Sequence, residues 1–201
     1  MKRLFLLVLF TVFISSGCAV DVVRTSNASV SRVGTGIKRV AVLDFEFDRA
    51  ETDEIALGKA NRPRNAGAIM ADIFMEQLMD TGRYDFVERR QVKRLLDERG
   101  LSVSGILEKK SLDEIGKMLN VDALVVGVVS DFSDYNTGLI WGACAAFSAR
   151  MVDINSGLVV WSVSANRNIN FTNVTSAAQM VSKDAVKQLL KKLKSKKNRK
   201  K

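Results

Sequence analysis

Nucleophilic and acid–base chemistry near neutral pH usually calls on histidine, and this chain has none among its 201 residues. That removes Ser/His and Cys/His pairs, histidine general bases and histidine metal ligands together. The two cysteines, Cys18 and Cys144, stand far apart in the sequence, and two thiols without histidine make a poor zinc site. Cys144 sits in the small apolar run WGACAAF, where a free thiol packs as a small hydrophobe. Asp44 and Glu46 lie two residues apart and project from the same face of an extended segment. An acid/base pair can be built that way, but carboxylates at a strand end more commonly stay solvated or cap the next loop. No nucleophile–base pair, phosphate loop or metal cluster is visible, so the chain is expected not to be an enzyme and to use no metal, cofactor or small-molecule substrate.

Chemistry is written most clearly around Cys18. Lys2 and Arg3 precede an apolar run from Leu4 to Ile14, which closes on Ser15, Ser16, Gly17 and Cys18. This is the layout of a secretory signal peptide, and the run is too short for a spanning helix. Small residues directly before a cysteine resemble the bacterial lipoprotein signal, in which the cysteine becomes the acylated first residue of the mature chain. The usual leucine three places earlier is Ser15 here, with Ile14 one step further back. Acyl chains on Cys18 anchor firmly, because each buried methylene contributes about 0.8 kcal/mol. Ala19 rather than Asp follows the cysteine, which by the sorting of such lipoproteins implies the outer membrane, periplasmic face. Residues 1–17 are thus expected as signal peptide. Residues 18–36, rich in Ser, Asn, Thr and Gly after Asp21, are expected as a lipidated N-terminus and flexible tether.

The net charge of +9 is concentrated at the other terminus. Nine basic residues and no acid lie between Lys187 and Lys201, and removing them leaves the remainder formally neutral. Lys191, Lys192, Lys194, Lys196, Lys197, Arg199, Lys200 and Lys201 read as a solvated tail over 194–201. Alternatively they contact an anionic surface such as phospholipid or lipopolysaccharide, each base contributing about 1 kcal/mol. A secreted, tethered chain argues against nucleic acid as the partner.

The elements between these ends alternate. Lys38–Phe47 (KRVAVLDFEF) is a β-branched strand, and a polar loop containing Pro63 follows it. Helical spacing over 66–80 sets Ile69, Ile73, Phe74 and Leu78 inward, with Gly82 as the stop. YDFV over 84–87 is a second strand. Over 88–99, Val92, Leu95 and Leu96 form one stripe, stopped by Gly100. Ser111 and Glu114 have capping-box spacing and open a helix that ends near Asn120. Ala123–Val129 is an apolar run suited to a strand covered on both faces, and 131–138 (DFSDYNTG) reads as a loop. Strands over 141–154 and 158–168 flank the turn Asn155-Ser156-Gly157, with Trp161 in the core. A last helix spans 176–193. The expected class is α/β: a single layered domain over 37–193, with a mixed sheet of about five strands including a C-terminal β-hairpin, packed by about four helices.

In this order and spacing, VAVLDFEF, YDFVERRQVKRLLDERG, IGKMLNVDALVVGVV and ARMVDINSGLVVWSV resemble the CsgG-like (curli secretion-channel) lipoproteins and the related TolB-N-terminal-like domains, over roughly Lys38 to Leu193. The resemblance implies a non-enzymatic binding or assembly module for envelope or surface-appendage machinery, with a protein partner in the envelope and homo-oligomerisation open to it. The family's pore formers insert membrane hairpins after the Val125–Val129 strand and after the C-terminal hairpin. A membrane strand needs about 9–11 residues, and the gaps 130–140 and 168–175 are too short to add a hairpin of two. The alternative is a component of an oligomeric curli-type secretion channel, which would require 131–150 to enter the membrane.

Overall fold

The computed structural model describes residues 20–31, 36–47, 63–100 and 109–198. In chain order these form β1 (Val20–Val30), β2 (Arg39–Val42), β3 (Glu46–Phe47), α1 (Ala66–Met79), β4 (Asp85–Phe86), α2 (Arg89–Arg99), α3 (Lys109–Leu119), β5 (Ala123–Asn136), β6 (Trp141–Asp153), β7 (Val159–Asn170) and α4 (Val174–Asn198). The α/β class, the mixed sheet and the four helices match expectation. The sheet has seven strands rather than about five, in the order β1-β7-β6-β5-β2-β4, with β3 also paired to β5. It is open rather than closed into a barrel. β2, β3 and β4 run parallel with their neighbours, whereas β5, β6, β7 and β1 form an antiparallel meander.

Each additional strand has an identifiable cause. The first expected strand divides into β2 and β3 because Phe45 turns to α1, its N–H donating to Gly67 O at 3.3 Å. Gly67 is required there, since a Cβ would lie 1.9 Å from the Phe45 carbonyl oxygen. The other, β1, corrects the expectation of a tether. Its ladder runs from Val20↔Asn170 to Val30↔Trp161 on β7. Ala28 and Val30 pack on the core, and Arg24 reaches Asp184 of α4 at 2.6 Å. Pairing with β7 satisfies a polar sequence that carries little strand signal of its own.

α1 and α4 cover one face of the sheet. Beneath them lie Phe45, Phe74, Phe147 and Trp161, with ring centroids 5.1 Å apart for Phe74–Phe147 and 6.3 Å for Phe74–Trp161. Trp161 is fully buried, as its alternation predicts. α2 and α3 cover the other face at one end only, where Val92, Leu96, Leu112, Ile115, Leu124, Val126 and Val152 form a second core. Glu88 caps α2 by accepting the Gln91 N–H, and Gly100 ends it at φ 61°. α3 begins at Lys109, two residues before the expected start at Ser111, and Asn120 ends it at φ 50°. α4 starts at Val174 because Asp134 Oδ1 accepts the Val174 N–H at 2.6 Å and Asn173 Oδ1 the Ser176 N–H at 2.9 Å.

Two polar clasps fix the parallel half. Arg89, 8% exposed, is ion-paired to Asp44 and Asp72 and donates to Ala68 O at 2.9 Å, joining the β2–β3 link, α1 and α2. Asp122 Oδ2 accepts the N–H groups of Lys38 and Arg39 at 2.8 and 2.9 Å, which sets the β2–β5 register. The Arg39 and Lys38 amides hold the Asp122 carboxyl below its usual range.

Replacing Arg89 with Met is expected to cost about 2–3 kcal/mol in chemical denaturation, since it leaves two carboxylates and a carbonyl unmatched. Asp122, depressed in the fold, contributes stability that is present above its unfolded pKa of about 3.9 and is lost as pH falls through the folded value. Asp122→Asn should therefore lower stability most in the neutral region and flatten the acid limb of a pH–stability curve below about pH 4, where variant and wild type converge.

Candidate functional site

Cys18, the signal segment 1–17, Arg199, Lys200 and Lys201 lie outside the described residues. Val20, two positions after Cys18, is placed at one end of the sheet opposite Asn170. The remaining lysines of the expected tail continue α4, which runs to Asn198 rather than ending near 193. Lys191, Lys192, Lys194 and Lys197 are exposed. Lys196 is held: its Nζ donates to Ser31 O at 2.8 Å and also to Val30 O. Those carbonyls close the far end of β1, so Lys196 sits one strand length from Val20. Eleven residues of β1 at about 3.3 Å each give about 35 Å.

The carboxylates weighed as an acid/base pair have different surroundings. Asp44 is engaged by Arg89 and lies 3.6 Å from Lys93 Nζ, while Glu46 borders the opposite, open side of the sheet. Cys144 is half-buried on β6. Among the described residues no group of three or more Cys, Asp or Glu side chains converges as a metal site.

A feature the sequence reading passed over is the sheet face beyond α2 and α3. Cross-strand partners share a face, and register aligns Asn27, Ser164, Ser148 and Val128 across β1, β7, β6 and β5. Ser29, Ser162, Arg150 and Val126 form the next row. Together with Glu46 these line a shallow open recess of about 470 Å³. Toward the Val20 end, Asn166 accepts from the Thr25 hydroxyl at 2.8 Å, and the Tyr135 hydroxyl reaches Asn168 and Asn170. Burial raises the Tyr135 pKa, with a smaller contribution from Cys144, so the phenol stays a neutral hydrogen-bond donor at physiological pH. The signal was available in SVSANRNIN, where every second residue from Ser162 to Asn170 is Ser or Asn. The face offers hydroxyl and amide groups, the Arg150 guanidinium and the carboxylates of Glu46 and Asp131, with Asp131 Oδ1 accepting from the Ser133 hydroxyl at 2.7 Å. It is equipped to hydrogen-bond a polar surface.

The connections at the Val20 end are short. Residues 137–140 join β5 to β6, and residues 171–173 join β7 to α4.

The family model for the curli production assembly/transport component CsgG matches residues 25–198. No curated protein matches the chain. Among solved structures it is similar to the PelC dodecamer from Paraburkholderia phytofirmans, with a TM-score of 0.57 and 17% identity over 83% of this chain and 96% of that one. It is also similar to lipoprotein GNA1162 from Neisseria meningitidis, with a TM-score of 0.55 and 14% identity over 75% of this chain and 96% of that one. These two likenesses concern the fold. The family model spans nearly all the described residues, from β1 to the end of α4, and on that ground the chain belongs to the CsgG family of curli production assembly/transport components.

Proposed function

We propose that the protein is an outer-membrane lipoprotein, anchored through Cys18 on the periplasmic face, acting as a non-enzymatic binding or assembly module for envelope or surface-appendage machinery. The observation that carries this reading is a complete CsgG-family sheet combined with tight connections at 137–140 and 171–173. A membrane strand needs about 9–11 residues. The part of β5 beyond its bulge, Asp131–Asn136, is committed to the sheet, with Phe132 1% exposed. The open Ser/Asn face supplies a surface for a polar partner, and the dodecameric state of the similar PelC structure supports a homo-oligomer.

The basic end of α4 takes a different role from the one its charge alone suggests. With Cys18 in the bilayer, Lys191, Lys192, Lys194 and Lys197 sit about 25–35 Å from the Val20 end, and salt screens exposed charges over about 8 Å. Their anionic contact is therefore assigned, together with Arg199, Lys200 and Lys201, to an envelope partner approaching from the periplasm.

Wild-type protein is expected in the outer-membrane fraction after a high-salt wash, and Cys18→Ala in the soluble periplasmic fraction. An inhibitor of lipoprotein signal peptidase should make the precursor accumulate. Unchanged processing and fractionation would remove the anchor, and single-channel conductance from purified oligomer in a planar bilayer would replace the assembly module with a secretion channel.

A further inference from the structure

At the Val20 end of the sheet, two connections bring large apolar side chains together in solvent. The Phe171 N–H donates to Trp141 O at 2.7 Å, and the two rings meet edge to face with centroids 6.1 Å apart. Leu139 is 93% exposed, and Ile140, Trp141 and Phe171 are each close to half exposed. Single exposed hydrophobic residues are ordinary, whereas a contiguous group marks a contact surface. Phe171 also adopts φ 61°, a left-handed conformation that a bulky L residue disfavours. The backbone thus accepts strain to hold this ring out beside Trp141, and strain of that kind motivates a functional reading.

The surroundings suit a medium with little water. No charged residue occurs from Tyr135 to Ala149 or from Asn168 to Ser182. The turn binds its own polar groups: the Thr137 N–H and hydroxyl both donate to Ile140 O at 2.9 Å, and the Gly138 N–H donates to Asn136 Oδ1 at 2.8 Å. Self-satisfied backbone is what an apolar environment demands. At the opposite end Leu158 and Val159 are exposed where β6 turns into β7, and Lys196 is held there.

The position of the chain's beginning selects the occupant. β1 starts at Val20 opposite Asn170, adjacent to Phe171. Cys18 is two residues earlier, at most about 7 Å of extended chain. We propose that Leu139, Ile140, Trp141 and Phe171 form a second membrane contact, entering the interfacial layer of the same leaflet that receives the acyl chains of Cys18. This rests on the lipid-anchor reading above. Trp and Phe suit that layer, where an aromatic ring sits among headgroups with its apolar part inward. Two attachment points in place of one stand the domain on the bilayer with its strands pointing away from the surface and its lysine-bearing end outermost.

The test uses the full mature protein, with acylation of Cys18 read by mass spectrometry, reconstituted into phosphatidylethanolamine/phosphatidylglycerol nanodiscs with and without brominated acyl chains. Emission from Trp141 is isolated by subtracting the spectrum of Trp141→Phe, in which the buried Trp161 remains as a reference that neither bromolipid nor acrylamide reaches. The expected result is a blue shift of the Trp141 component, its quenching by bromolipid and its protection from acrylamide. A double variant, Leu139→Ser with Phe171→Asn, should keep the acyl anchor and the fold by circular dichroism while restoring acrylamide access to Trp141. Acylated, nanodisc-bound protein whose Trp141 is quenched by acrylamide and not by bromolipid would overturn the contact while leaving the anchor intact. Protection from both quenchers, as when a second copy covers this end, would overturn it as well. A chain without acyl groups would remove the anchor and the contact together.

Discussion

Two faces of a large sheet must be kept from water, and the helices among the described residues do not cover both. β5 has 14 residues and so spans about 45 Å at about 3.3 Å per residue. α4, with 25 residues, extends about 37 Å and together with α1 seals one face along its length. α2 and α3 have 11 residues each, about 16 Å, and close only the end of the other face nearest β2 and β4. Every other feature follows from this mismatch. Side chains beneath the short helices are Leu124, Val126 and Val152, and those beyond them change to Ser148, Ser162, Ser164 and Asn166. A buried apolar strand and an open polar one are the same strands at different points along their length.

What was legible in the sequence is what depends on nearby residues. Gly100 stops α2 in the left-handed conformation its position suggests, and Gly157, at φ 67°, closes the β6–β7 turn read from Asn155-Ser156-Gly157. The Phe74 and Leu78 stripe of α1 is fully buried. What was hidden depends on distant partners or on a break in period. The stretch 131–138 read as a loop because a bulge between Val129 and Asp131 puts Val129 and Phe132 on the same face three residues apart, erasing the alternation that identifies a strand. β1 looked like a tether because its inward positions are Arg24, Ser26, Ala28 and Val30, only the last of them a strong strand former. Its order comes from β7 and from Asp184, more than 130 residues away at every rung. The site was legible to a similar degree: the Ser/Asn alternation of β7 stands in plain view, but only the register shows that β1 and β6 extend it into a surface.

Family membership and the short connections point in complementary directions. The CsgG-family sheet is present from β1 through α4, while the places where the family's pore formers carry membrane hairpins are occupied by tight links. What remains is a domain with three chemically distinct regions: an apolar end beside the start of β1, a basic end on α4, and a hydrogen-bonding face between them. Such separation gives direction to an otherwise globular object, since each region selects a different neighbour.

The zippering of β1 onto β7 also has a mechanical consequence. A load applied at the Cys18 end and opposed at the basic end acts parallel to the strands, so the β1–β7 hydrogen bonds from Val20↔Asn170 to Val30↔Trp161 share it in shear rather than opening one after another. Arg24 on Asp184 near the loaded end and Lys196 on Ser31 O at the other rivet the same strand to α4. A flexible leash would transmit almost no force until taut. Built this way, the first strand is a stiff strut, able to pass tension from one end of the domain to the other.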